Sequence, residues 1–159
     1  RERSRSQQHR PVALRDLAET ITKGESIQWQ GEAYQDEGIP FIRTTNVQWE
    51  GLDLSSVARV SLASHQRMAR SQLQAHDLLI SIAGTLGRAC IVPPEVLPAN
   101  INQDLALVRI RRGDVSLPYL LHALRSDFVG QQIGRSGRGA GRIHLNLQQV
   151  GSLQVPLPP

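Results

Sequence analysis

A chain of 159 residues with 40% apolar and 4% aromatic content suffices for one domain built on an aliphatic core. Its single cysteine, Cys90, excludes an internal disulfide framework and a cysteine-based zinc site, and no apolar run approaches the roughly 20 residues that span a bilayer. The formal charge of +4 is uneven: residues 1–10 hold four Arg against one Glu, residues 16–53 hold eight acids against Lys23 and Arg43, and residues 54–88 and 125–144 each hold four Arg against one Asp, a polarity that suits one anion-facing surface.

Residues 1–11 read as a disordered leader or linker and lack the apolar segment of a secretory signal. Val12, Ala13, Leu14, Leu17, Ala18 and Ile21 fall at helical spacing, with a stop at Lys23-Gly24. Residues 25–38 are polar and turn-rich, with Trp29 and Tyr34 as expected anchors. Residues 39–43 predict a strand ending in the polar tip Thr44-Thr45-Asn46, residues 57–62 a second short strand, and residues 63–73 a short surface helix bearing Arg67 and Arg70. The pattern over 77–83 is the strongest strand signal. With the turn Gly84-Thr85-Leu86-Gly87 and the apolar run to Val92 it predicts a β-hairpin.

Residues 104–112 alternate as a strand, with Leu105, Leu107 and Ile110 against Arg109 and Arg111. Residues 117–133 predict one amphipathic helix with Pro118 in its first turn. Residues 134–142 then bring four Gly and three Arg with no acid. Asn146 opens a helical turn to Val150, and residues 153–159 form an extended exit. No internal repeat is visible.

Catalytic motifs are not met. The turn at 84–87 lacks the Gly-Lys-Ser/Thr ending of a phosphate-binding loop, and the strand after it, where a helix is needed, removes a dinucleotide fingerprint. His9, His65, His76, His122 and His144 show no metal-ligand spacing. There is no Gly-x-Ser-x-Gly elbow, and no Asn/Asp-Pro-Pro-Tyr/Phe motif of an amino-methylating methyltransferase. Residues 134–142 stand apart: glycine permits close backbone approach, and three guanidiniums supply charge-assisted bonds to phosphates or base edges. On composition alone, a DNA-contacting loop and a flexible solvated loop are equally good readings. All but one of the 18 basic residues are Arg, which fits phosphate and guanine recognition and fits codon bias equally well.

The order of these pieces resembles the target-recognition domains of type I restriction–modification specificity subunits. Leu14-Arg15-Asp16-Leu17-Ala18 with Lys23-Gly24 is similar to their opening helix and turn, and Gly38-Ile39-Pro40-Phe41-Ile42-Arg43-Thr44-Thr45-Asn46-Val47 to their first strand and its polar end. Asp77-Leu78-Leu79-Ile80-Ser81-Ile82-Ala83-Gly84-Thr85-Leu86-Gly87-Arg88 resembles their most recognisable block. Asn102-Gln103, residues 119–126, residues 137–147 and the Pro-Leu-Pro-Pro exit at 156–159 follow in order. In the family that exit leads into a long spacer helix.

The resemblance implies an α+β fold, with a mixed curved sheet and a few helices, over residues 12–159. It implies sequence-specific recognition of double-stranded DNA on behalf of a methyltransferase (modification) subunit and a restriction subunit in the prokaryotic cytoplasm, with no catalysis, cofactor, metal or membrane of its own. Three surfaces are candidates for DNA: Arg43, Thr44, Thr45, Asn46 and Gln48 after the first strand; Arg67 and Arg70; and Arg135, Arg138, Arg142 and His144. Ser81, Thr85, Arg88, Asn102 and Gln103 belong to the family pattern, and a structural role in turns and hydrogen bonds is the better reading of them. The competing readings are a recognition domain within a single-chain restriction–methyltransferase and an interaction module whose basic loop binds an acidic protein.

Overall fold

In a computed structural model, which describes residues 10–113, 115–139 and 142–158, apolar runs buried on both faces form the centre. In chain order the elements are β1 (Arg10–Ala13), the single-turn α1 (Leu14–Leu17), β2 (Ala18–Lys23), β3 (Ile39–Ile42), β4 (Val47–Gln48), β5 (Gly51–Leu52), β6 (Ala58–Val60), α2 (Leu62–Arg67), β7 (Leu78–Ser81), β8 (Ala89–Ile91), β9 (Asn100–Ile101) and β10 (Leu105–Ile110). There follow α3 (Leu117–Leu124), α4 (Asp127–Ser136), β11 (Arg138–Gly139), β12 (Arg142–Ile143), α5 (Leu147–Ser152) and β13 (Gln154–Leu157).

The fold is α+β, as the resemblance implies, with the strands divided among small sheets. Four antiparallel strands in the order β2-β10-β7-β8 make the central sheet. Because side chains alternate across a strand, Leu78, Ile80, Ala106 and Val108 enter one core cluster, with α1, α3, α4 and α5 packed on it. Leu79, Leu105, Leu107 and Cys90 enter a second, closed by Ile42, Val47, Ala99 and Ile101. Burial on both faces explains why β7 reads as a continuous apolar run. It also corrects the alternation expected in β10, where Leu105 through Val108 are all buried. The second layer is the three-stranded sheet β6-β3-β9, in which β3 and β9 run parallel. A small third cluster of Ile27, Phe41, Val60 and Met68 closes its outer side.

Three local expectations are corrected. The helix expected over 12–21 is only the turn α1; β1 and β2 flank it, and β2 pairs with β10. In β2, Ile21 and the β-branched Thr20 and Thr22 favour a pleated strand once an edge is available. Residues 117–133 form two helices. Ser126 adopts an extended backbone and its hydroxyl accepts from the Val129 amide at 3.4 Å, capping α4. Residues 134–142 do not form one loop: α4 runs to Ser136, and Arg138–Gly139 pairs with Arg142–Ile143 as a hairpin. Residues 1–9 of the expected leader lie outside the described residues, while Arg10 and Pro11 pair with Leu157 and Pro156 in β1–β13.

Candidate nucleic-acid interface

The antiparallel register brings one end of the central sheet together. Ala106 lies opposite Lys23, Leu105 opposite Ser81, and Ile80 opposite Ala89. The segments beyond these ends therefore meet: 24–27 after β2, 102–104 before β10, and 82–88 between β7 and β8. Their approach is close. A Cβ on Gly24 would lie 2.1 Å from the Ile101 carbonyl oxygen, so only glycine fits where this turn crosses the 101–102 backbone.

Ser81 holds the 82–88 turn. It is fully buried; its hydroxyl donates to the Thr85 carbonyl and accepts from the Arg88 amide at 2.9 Å. Gly84 and Gly87, at φ 72° and 82°, supply the left-handed backbone of that turn. The turn is docked onto the segment just after β12: Ala83 bridges to His144, and the Leu145 amide donates to the Ile82 carbonyl at 2.8 Å. On its other side Leu86 packs at the Gly137 backbone, where a Cβ would meet its Cδ1 at 2.5 Å. The end of α4 and the hairpin are thereby tied to the 82–88 turn, and Arg135, in the last turn of α4, stands exposed beside them. The side chains of Arg138 and Arg142 lie outside the described residues.

A groove runs along this end. Lys23, Gly84, Gln103 and His144 line one part; Gln103 and Asp104 continue into a second part with Glu25, Trp29 and Gln30. The first-strand tip joins from the neighbouring sheet, because the Asn102 amide donates to the Ile42 carbonyl at 3.0 Å. Thr45 is exposed there, and its carbonyl accepts from the Gln48 amide group at 2.8 Å. The Arg43 guanidinium lies 5.4 Å from the centre of the Tyr34 ring. Arg43 Nε, Thr44 Oγ1 and Arg88 Nε are shielded from solvent and make no hydrogen bond within the described residues.

Two other nominated side chains, Asn46 and Asn102, are turned into the fold. Asn46 is buried, accepting from the Arg43 amide and donating to the Asp53 carbonyl, so it shapes the tip from inside. Asn102 is buried and accepts from the Asp104 amide at 3.1 Å. Arg67 and Arg70, both exposed, pair with Glu32 and Glu25 respectively. Gln103 and His144 remain exposed in the groove; Thr85 is exposed in the turn beside it.

Sequence reasoning missed Lys23 and Gln30 as groove residues and placed Trp29 wrongly. Ile27 is the buried anchor of this segment, while Trp29 is 92% exposed. Burial pushes the Cys90 thiol up to about 12. Among the described residues, no group of three or more His, Cys, Asp or Glu side chains is placed to hold a metal ion, and no helix is long and apolar enough to cross a membrane.

No family model matches the chain. Fold and sequence nevertheless point to one class: the chain is similar in both to specificity subunits of type I restriction–modification systems. It is 30% identical over 124 residues to the Type I restriction enzyme EcoBI specificity subunit of Escherichia coli, a match covering 77% of this chain and 26% of that protein. Among solved structures it is similar to the HsdS subunit from Thermoanaerobacter tengcongensis, with a TM-score of 0.67 at 19% identity over 99% of this chain and 35% of the other. It is also similar to the type I restriction–modification S subunit from M. genitalium, with a TM-score of 0.64 at 12% identity over 99% and 36%. The chain thus spans between a quarter and two-fifths of the length of these relatives.

Proposed function

We propose that residues 12–159 read a base sequence in double-stranded DNA through the groove at the end of the central sheet, and so direct methylation and restriction by partner subunits in the prokaryotic cytoplasm. The domain performs no chemistry and needs no cofactor. A methyltransferase subunit and a restriction subunit act on the site it selects. The observation that carries this reading is the convergence of Lys23, Gln103, His144 and the Arg-bearing hairpin at one end of the sheet, in a chain similar to a restriction specificity subunit. Amide and imidazole groups offer the donors and acceptors that base edges require, while guanidiniums and Lys23 meet phosphates. Thr45, Gln103 and His144 are the exposed groups for base contact; Arg43, Arg88, Arg135, Arg138 and Arg142 set position on the backbone.

Binding of a labelled duplex across a salt series tests this. Affinity should fall linearly on logarithmic axes, and R135A/R138A/R142A should make the slope shallower by about one for each phosphate that no longer meets a guanidinium. A chain that binds no duplex at low salt would refute the reading.

A further inference from the structure

We propose that Trp29, held out at the rim of the groove, packs its indole against a base of the bound duplex; this rests on the DNA-reading function above. Several observations converge on it. Trp29 is 92% exposed although it lies in a well-tethered turn. Ile27, 1% exposed, anchors the turn in the third core cluster. The amides of Gln30 and Glu32 donate to the Ile27 carbonyl at 3.1 and 3.0 Å, and Gly31 closes the turn in the left-handed region. Gln30 Nε2 donates to Glu25 at 3.1 Å.

Glu25 and Glu32, the acids bracketing the turn, are the partners of Arg70 and Arg67. Two of the acids near the indole are therefore ion-paired, and the DNA backbone meets less repulsion there than the local sequence implies. Arg67 and Arg70 in this arrangement position the turn.

The surroundings select the ligand chemistry. Beside Trp29 the groove is lined by Glu25, Ser26, Gln30, Gln103 and Asp104. A lone indole among amides and carboxylates lacks the contiguous apolar area of a protein-docking patch. It does match a nucleobase at an unstacked step of the duplex, where the base presents an apolar face to the ring and edge groups to Gln and Asp beside it.

The test uses the full chain with W49F as background, so that emission reports Trp29 alone, and a labelled duplex recovered by selection from a random pool on this chain. Saturation with that duplex should quench the emission. W29A should weaken binding about tenfold with an unchanged melting temperature, because the side chain leaves no cavity, and W29F should retain most of the affinity. If W29A binds as tightly as its background and emission is unmoved in the saturated complex, the inference falls while DNA reading stands. If the background chain binds no duplex, both fall together.

Discussion

At the scale of single residues, the polar groups inside the fold hold the geometry that the exposed ones use. His65 is the clearest case. It is 8% exposed, and its Nδ1 accepts from Asn100 Nδ2 at 3.1 Å, which places its proton on Nε2. Asn100 is fully buried and also receives the Ser71 hydroxyl at 2.6 Å, so the cluster braces β9 beside the first-strand tip. Burial lowers the His65 pKa. The unfolded chain then binds more protons than the folded one near the ordinary imidazole value. The contribution of a neutral His65 is therefore full above that value and lost as pH falls below it. The melting temperature should drop between about pH 8 and about pH 5, and H65N should flatten that slope whatever it does to the absolute value. This residue was visible in the sequence only as a histidine without metal spacing, since its partner lies 35 positions away.

At the scale of elements, capping decides where helices begin. The apolar spacing through Leu124, Phe128 and Ile133 continues one helical stripe, yet Ser126 interrupts it. Its hydroxyl both caps α4 and donates to the Ala123 carbonyl at 2.6 Å, fastening the start of one helix to the end of the other. S126A should cost about 1 kcal/mol, read as a lower urea midpoint with an unchanged m-value. Ser126-Asp127 is a legible cap signal, outweighed in the sequence by a periodicity that two collinear patterns share. The α5 start is the opposite case. Asn146 and Gln149 form a reciprocal capping box at 2.7 and 2.9 Å, and the helical turn expected there is present.

At the scale of the molecule, the pairing of β1 with β13 closes the core. β13 pairs with β1, Val155 is fully buried, and Pro156 accepts the Tyr119 hydroxyl at 2.7 Å. Gln132 and Gln154 exchange hydrogen bonds at 2.9 and 2.8 Å, joining α4 to the same strand. Deleting residues 154–159 should remove both links and uncover the cluster that supports α3, α4 and α5. The expected result is a broadened thermal transition and lost near-UV dichroism, where the full chain melts cooperatively. At the sheet end remote from the groove, Asp77 accepts from Arg109 Nε and Nη2 at 2.9 Å each and from the Gln74 amide at 2.7 Å. That carboxylate is buried and internally satisfied.

The order of apolar runs and turn residues by itself determined that this chain has an aliphatic core, that strands lie within 39–43, 77–83 and 104–112, and that 84–87 turns back into a hairpin; the α+β fold was implied by the resemblance to target-recognition domains. These features are written in local spacing, and spacing survives without tertiary context. Tertiary structure alone decided that residues 18–23 become a strand, because the free edge of β10 outweighs a helical spacing that a single turn and two strands can mimic. It alone turned Asn46, Ser81 and Asn102 inward, set Arg67 and Arg70 on Glu32 and Glu25, tied the Arg/Gly stretch to the 82–88 turn, and left Trp29 facing solvent. Those outcomes depend on pairings between distant residues, and the exposure of a side chain is set by what the rest of the chain covers.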